Sequence, residues 1–304
     1  MVLAGLPVSA YDSMTPGDGG PVALTIEEYG LLEDFSVLFS GGLDSTAVPL
    51  MIGPHTRGDI HLLTYKHRYG SLFNEWSRHQ IEPLRRVLGP RVYHQLIDHS
   101  PTWKAISASR MVRDAVKYRG HFVCCLGCQS AMMTETIAYS IERNITNTFI
   151  CSSVGGEYAV MSMPMTRICK GSFYARFGIR YNAPLLDLGV RKAEEHEVAN
   201  ESDLLPGWGR RRSHNGHQPI CLLGFQHSLD VVADVHTTYD PTLIARFLED
   251  KFPIMEQLIR DRLAERGFDP DELIEANLAK FGREQARIDA LRAEQGLSLP
   301  AGAV

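Results

Sequence analysis

The stretch that most constrains this chain is Phe35 to Ser45, FSVLFSGGLDS. It reads as a short apolar strand, Phe35 to Phe39, running into a loop of small residues, Ser40-Gly41-Gly42. Leu43, Asp44, Ser45 and Thr46 then open a helix. Glycines at a strand-to-helix turn let the backbone come close to a bound group. The amides of the turn and of the new helix face an anion there, and the helix dipole adds to the attraction. The Ser40 and Ser45 hydroxyls can join as neutral donors. The loop therefore suits phosphate or pyrophosphate, although a plain βα turn would use glycine for its geometry alone. No lysine follows the glycines, so this is not a GxxxxGK[ST] loop, nor is it GxGxxG. Asp44 is an anion in a phosphate site. It either holds a Mg²⁺ that neutralises the phosphates or caps the helix through backbone amides.

The chain around the loop alternates strands and helices. Pro21 to Leu32 reads as a short strand or turn before the first core strand. Asp44 to Ile52 is expected to be helical, starting late or kinked at Pro49. Strands follow at Asp59 to Tyr65, Arg91 to Ile97, Asn147 to Ser153 and Ile179 to Leu186. Helices are expected at Ser71 to Leu88, Ser100 to Lys117, Gln129 to Arg143 and Val190 to Asn200. This pattern argues for an α/β fold, a doubly wound parallel five-stranded sheet. Ligands of such sheets sit beyond the C-terminal strand ends. The phosphate loop and Thr64-Tyr65 both fall on that edge, which makes Thr64 and Tyr65 nucleotide-binding candidates. Asp240-Pro241 and Asp269-Pro270 start two further helices, with a break or kink at Pro253. These form a C-terminal helical appendage that packs on the core or on a partner chain, so a homodimer is one arrangement they allow.

Ser40-Gly41-Gly42-Leu43-Asp44-Ser45 resembles the SGGxDS signature of the PP-loop ATP pyrophosphatases. That family includes tRNA thiolases, 7-cyano-7-deazaguanine synthases, asparagine synthetases and argininosuccinate synthetases. The resemblance implies cleavage of ATP to AMP and pyrophosphate, with transient adenylation of a substrate oxygen. It covers roughly Phe35 to Asn200. It implies nucleotide-binding roles for Ser40, Gly41, Gly42, Asp44 and Ser45, and catalytic weight for Asp44 and Ser45. At the end of the fourth strand, Ser152-Ser153-Val154-Gly155-Gly156-Glu157 occupies the position where the family carries a small-residue loop near the α-phosphate. Ser153 and Gly155 are the candidates by position alone, because the Gly-His-His-x-Asp-Asp of tRNA thiolases is absent. Pro184-Leu185 followed by Arg191-Lys192 resembles the late Pro-Leu strand end and helix-borne lysine of 7-cyano-7-deazaguanine synthases. Lys192 would pair with pyrophosphate as a point charge.

Cysteine placement adds a second signal. Cys125-Leu126-Gly127-Cys128 is a CxxC, which in a reducing compartment points to metal or redox chemistry. Cys124 reads as a bystander, and Cys151 and Cys169 as structural. A single CxxC excludes a closed Cys₄ zinc site made of two knuckles. Cys221, much later in the chain, can supply a third thiolate. In 2-thiocytidine-type tRNA thiolases a CxxC lies just before the helix preceding the fourth strand, and a later cysteine completes three thiolates for an iron–sulfur cluster. By that resemblance Cys125, Cys128 and Cys221 bind a [4Fe–4S] cluster, with Cys125 and Cys128 near the chemistry. Zn²⁺ is the alternative, with a fourth ligand from His214, His217 or His227. The C-terminal four-cysteine zinc cluster of 7-cyano-7-deazaguanine synthases is absent.

Composition sets the remaining bounds. The 304 residues are 44% hydrophobic and 22% charged, ordinary for a globular chain. The divisions read are 1–30 as a partly disordered N-terminal extension, 31–202 as the PP-loop domain, 203–236 as an irregular Cys/His/Arg segment and 237–304 as the helical region. No membrane-spanning run or signal peptide is apparent, so the cytoplasm is the expected location. The net charge of −5 gives no global pull toward nucleic acid. A small molecule or nucleobase is therefore the expected acceptor ahead of tRNA, with Arg210-Arg211-Arg212 keeping tRNA open. The favoured function is ATP-dependent sulfur transfer, which also requires a sulfur donor. A ligase using ammonia or an amine, and a nucleotide-binding protein without turnover, are the alternatives.

Overall fold

The computed structural model describes residues 23–119, 122–153, 160–191, 194, 198, 220–222 and 239–296. The expected sheet is present. Strands β1 (Phe35–Leu38), β2 (Ile60–Lys66), β4 (Val92–Asp98), β5 (Asn147–Phe149) and β6 (Arg180–Asn182) lie in the order β4-β2-β1-β5-β6. Every neighbouring pair is parallel. A separate two-residue strand β3 (Ser71–Leu72) pairs antiparallel with β7 (Ile220–Cys221), placing Ser71 opposite Cys221.

The helices divide between the two faces. On one face, α2 (Leu43–Ile52) and α3 (Ile81–Leu88) bury Val48, Ile52, Leu84 and Leu88 against Phe35, Val37 and Leu62. On the other lie α4 (Ser100–Ile106), α6 (Phe122–Glu142), α7 (Pro164–Ala175) and α9 (Pro241–Glu265). Trp103, Leu126, Ile137, Phe173, Phe247 and Met255 pack there as a second cluster. Both faces are thus covered, so β1 is enclosed almost throughout and even the polar Asn147 and Thr148 of β5 are buried. All five strands run the same way, but the order in which they are added reverses between β1 and β5. The crevice above that switch point lies between the loop after β1 and the loop after β5.

Several local expectations are corrected. Residues 23–32 hold a short helix, α1 (Ile26–Tyr29), and only Gly30-Leu31 after it form the expected turn. Thr25 and Glu28 form its capping box: Glu28 N–H donates to Thr25 Oγ1 at 3.3 Å and Thr25 N–H to Glu28 Oε2 at 2.8 Å. The α2 helix begins at Leu43, so Pro49 does not delay it. Ser71 to Leu88 is not one helix: β3 is followed by Phe73 in a left-handed conformation (φ 59°), a 3₁₀ segment Asn74–Gln80 and then α3. Ser100 to Lys117 breaks at Ser107 (φ −130°, ψ −52°), with α5 (Met111–Tyr118) beyond a 3₁₀ turn. The strand expected to reach Leu186 stops at Asn182, and Pro184 opens the short helix α8 (Pro184–Asp187).

At the C-terminus, α9 runs through Pro253 without a break. Its apolar face is anchored on both sides of the proline by buried Phe247, Leu248, Met255 and Ile259. Burial of this stripe outweighs one lost hydrogen bond. Asp240 and Asp269 cap α9 and α10 (Pro270–Glu294) as expected. Both helices pack on this chain's own core: Ile259 and Ile274 join the α6–α7 cluster, and Ile288 joins the β1 cluster. Among the described residues no helix is long and apolar enough to cross a membrane.

Candidate functional site

The first half of the site is the loop after β1. Gly41 takes φ 78°, a conformation that side chains rarely adopt. Gly42 is the N-cap of α2 and makes no side-chain cap bond. The first amides of a helix have no intrahelical partners, so the α2 N-terminus presents donors at the switch-point crevice. The serines behave differently from the sequence expectation. Ser45 is buried, and its hydroxyl donates to Gly42 O at 3.0 Å. That leaves Ser40 Oγ, 3.1 Å away, as donor to Ser45 Oγ, while Ser40 accepts from Gly42 N–H at 3.2 Å. Both hydroxyl hydrogens are used inside the loop. Backbone amides are therefore the ready donors, and the serines define the loop's shape. Asp44 lies in the first turn of α2.

Thr64 and Tyr65 are on the expected strand, but their side chains are committed to structure. Thr64 Oγ1 donates to Phe39 O at 2.8 Å and lies 2.9 Å from His94 Nε2. Tyr65 Oη is 2.6 Å from Thr136 Oγ1, under α6, and burial pushes its phenol well above the usual range. The β2 strand continues to Lys66, so the first residue past its end is His67. Across the crevice, Ser153 follows β5. Its hydroxyl is buried and has no hydrogen-bond partner among the described residues. Ser152 Oγ is 2.7 Å from Ser162 Oγ, which ties this loop to the segment leading into α7. Gly155, Lys192, Arg210, Arg211, Arg212, His214, His217 and His227 lie outside the described residues.

The second half is a group of cysteines and histidines. The CxxC does not precede its helix: α6 starts at Phe122. Cys124, Cys125 and Cys128 therefore stand in its first two turns, where residues three and four apart share a face. Burial pushes the Cys125 thiol up to about 12 and the Cys128 thiol well above its ordinary range. The charges of Cys221 and Cys124 act on both in the same direction. Cys221 thus belongs to the same group of thiols, brought there by the β3–β7 ladder. Cys124, expected to be a bystander, is also raised by burial and then by Cys221. Thiols in this state are protonated at neutral pH, so a metal would have to displace their protons.

Two histidines that sequence reading missed complete the group. His99 Nε2 lies 3.4 Å from Cys128 Sγ, and His67 Nε2 lies 3.9 Å from Cys221 Sγ. Their rings meet edge to face at 5.4 Å. Burial, then the neighbouring His67, lowers His99 to about 4, and burial lowers His67 against the opposing charge of Asp98. The signal was available: each is the first residue after a parallel strand, where ligands of such sheets gather. His67 Nδ1 accepts from Tyr69 N–H at 3.2 Å, so its Nε2 carries the hydrogen and faces Cys221 as a donor. Cys125, Cys128 and Cys221 match a thiolate cluster in kind and number. Among the described residues, however, no three Cys, His, Asp or Glu side chains are already drawn together as a metal-binding group.

Fold and loop together define a class: a doubly wound parallel α/β protein with a glycine–serine loop at its switch point and a group of thiols at the same sheet edge. No family model matches the chain, and no curated protein matches it. Among solved structures the chain is similar to an NMN synthetase from Francisella tularensis, at 14% identity and a TM-score of 0.42 over 80% of this chain and 94% of that one. It is also similar to the U34-tRNA thiolase NcsA from Methanococcus maripaludis with its [4Fe-4S] cluster, at 12% identity and a TM-score of 0.41 over 74% and 73% of the two chains.

Proposed function

We propose that this chain is an AMP-forming ATP pyrophosphatase that activates a carbonyl oxygen and replaces it with sulfur. The observation that supports this reading is the β3–β7 pairing, which brings Cys221 to the sheet edge shared by Cys125, Cys128 and the SGGLDS loop. The β- and γ-phosphates of ATP rest on the amides of Gly41, Gly42 and the α2 N-terminus. Asp44 holds Mg²⁺ against them, and Lys192 pairs with the departing pyrophosphate. Attack of the acceptor's carbonyl oxygen on the α-phosphate makes an adenylate and releases pyrophosphate. The oxygen, a poor leaving group alone, then leaves with AMP when a sulfur nucleophile adds to its carbon. Cys125, Cys128 and Cys221 are the residues that would hold a [4Fe–4S] cluster, with Zn²⁺ as the alternative metal. Such a cluster, if held by these three thiolates, would supply a place to bind sulfide from a donor. Ser153 and Gly155 border the α-phosphate. The acceptor is a small molecule or nucleobase ahead of tRNA, and the setting is the reducing cytoplasm, where free thiols persist.

A second reading uses ammonia or an amine in place of sulfur, within the same adenylation chemistry. It is favoured by the thiols not forming a drawn-together metal group among the described residues. Anaerobic purification, followed by iron, acid-labile sulfide and zinc analysis, tests the sulfur reading. Iron with matching sulfide, lost in Cys125→Ala, Cys128→Ala and Cys221→Ala alike, is the expected result. Zinc without iron, unchanged after reconstitution with iron and sulfide, overturns the cluster. Nitrogen in the product overturns sulfur transfer, and no pyrophosphate release with any acceptor favours binding without turnover.

A further inference from the structure

Lys170 stands in the middle of α7 with its side chain almost completely enclosed; the residue is 2% exposed. Its ammonium donates to Gln129 Oε1, on the α6 residue next to Cys128, and to Met161 O at 3.3 Å. Both partners are neutral acceptors. Among the described residues no carboxylate pairs with this amine, unlike buried Lys251, which meets Asp114. A buried cation without an anion is unfavourable, and such groups are rare unless paired. Among the described residues, Lys170 is therefore a buried amine with no negative partner.

The surroundings say where that charge would come from. Met161 belongs to the segment that Ser162 ties to Ser152, and Ser153 is the adjacent residue whose enclosed hydroxyl has no partner among the described residues. An orphaned hydroxyl and an amine with no carboxylate among the described residues are thus carried by joined segments, one following β5 and the other reaching the α6 residue next to Cys128. We propose that Lys170 and Ser153 form an oxyanion-binding site at the junction of the nucleotide and sulfur halves of the site. Its ligand is a singly or doubly charged oxyanion: the α-phosphate of the nucleotide, or a phosphate or carboxylate of the acceptor. This rests on the proposed nucleotide function only for the first of those two sources.

Protonation gives a readout that a purely structural lysine would not. Burial lowers the Lys170 amine to about 7, and the described group acting on it electrostatically is the neighbouring Cys169 thiol, which works in the opposite direction. From α6 it faces the neutral amide of Gln129, and from the segment before α7 a carbonyl. At pH 8 the empty site therefore holds the amine largely neutral. A bound oxyanion favours the charged form, so binding takes up about one proton.

The test is titration calorimetry at pH 8, in two buffers of different ionisation enthalpy, on the full chain and on its Lys170→Met, Lys170→Arg and Ser153→Ala variants. AMP, adenosine, pyrophosphate, inorganic phosphate and acetate are the probes. Expected for the nucleotide source is uptake of about one proton per AMP by the parent. Lys170→Met then loses uptake and weakens AMP at least about tenfold, the size of a lost charge-assisted hydrogen bond. Adenosine and pyrophosphate should bind it as they bind the parent. If AMP is unaffected but inorganic phosphate or acetate loses binding and uptake in Lys170→Met, the site stands with the acceptor as source. Binding of every probe without proton uptake in the parent, and unchanged in Lys170→Met, overturns it. The parent measurement needs no variant to fold. Failure of pyrophosphate to bind the parent counts against the SGGLDS loop, and the phosphate and acetate arms still decide Lys170.

Discussion

Cys221 Sγ lies 3.9 Å from His67 Nε2, although 154 residues separate them in the chain. Their meeting depends on one short ladder. Ser71 pairs with Cys221, Leu72 with Ile220, and Leu222 N–H donates to Gly70 O at 2.9 Å. His67 in turn is fixed by the Tyr69 amide, so a donor points at the thiol.

The ladder can be cut at Gly70. This glycine has φ 113°, and an added Cβ would lie 3.2 Å from Leu222 Cβ. Gly70→Ala is therefore strained both by conformation and by contact. With Cys124 and Cys125 replaced by serine, the yield of a short thiol cross-link between Cys128 and Cys221 should fall several-fold in Gly70→Ala. The global melting temperature should change little, because β3 and β7 are outside the main sheet. An unchanged cross-link yield would show that the ladder does not seat Cys221.

The glycine inside the CxxC has a packing reason. A Cβ on Gly127 would sit 2.0 Å from Ser107 Oγ and 2.4 Å from Ser107 Cβ. Gly127→Ala should destabilise the fold by about 1–3 kcal/mol, as overpacking does. Ser107→Gly in the same chain should recover part of that loss. Chemical denaturation of the two single variants and the double variant measures it; equal stability of Gly127→Ala and the parent would refute the close packing.

Asp44→Ala and Ser45→Ala should each abolish pyrophosphate release while leaving the sheet intact, judged by circular dichroism. The reasons differ. In the proposed mechanism Asp44 acts on the metal and phosphates. Ser45 holds the loop's shape, since its loss takes away the acceptor of Ser40 and the bond to Gly42 O. Ser45→Ala should therefore also lower stability by about 1 kcal/mol. Near-parental pyrophosphate release by either variant would remove that residue from the proposed machinery.

Glu28 and Arg292, 264 residues apart, join α1 to α10: Arg292 Nη2 donates to Glu28 Oε2 at 2.9 Å, and Nε donates to Oε1. Burial works to raise the Glu28 carboxyl, but hydrogen bonds from Arg292 and Thr25 and the Arg292 charge hold it below its ordinary 4.5. A carboxyl depressed in the folded state adds stability that is present above its unfolded pKa and is lost as pH falls through the folded one. Glu28→Ala should destabilise by about 3 kcal/mol at pH 7, because Arg292 is left buried and unpaired. The gap to the parent should narrow as pH drops below 4.5. A gap independent of pH would exclude the ion pair as its cause.

How much of this was legible beforehand differs by element. The sheet was readable because its strands are short apolar runs set between turn residues, and the SGGLDS loop because glycine and serine at a strand end have few other uses. The caps of α9 and α10 were readable for the same local reason: Asp-Pro fixes a helix start within a few bonds. Misreadings arose where a neighbour overruled local preference. Pro253 would break an isolated helix, but a buried stripe on either side holds α9 straight. Ser100 to Lys117 looks continuous until Ser107 must fit against Gly127.

The sequence alone determined the fold class and the glycine–serine loop after β1, since both follow from periodicity and backbone freedom within a few residues. The tertiary structure decided which side chains meet. Cys128 and Cys221 were joined by resemblance and His67 and His99 each follow a strand, but nothing along the chain brings the two pairs together. Their grouping depends on strand ends falling side by side and on a two-residue ladder closing a distant segment onto them. Likewise no local signal marks Lys170, whose amine is unusual because it is enclosed with only neutral acceptors among the described residues. Burial and pairing are properties of neighbours in space, and the order of residues records them only after the chain has folded.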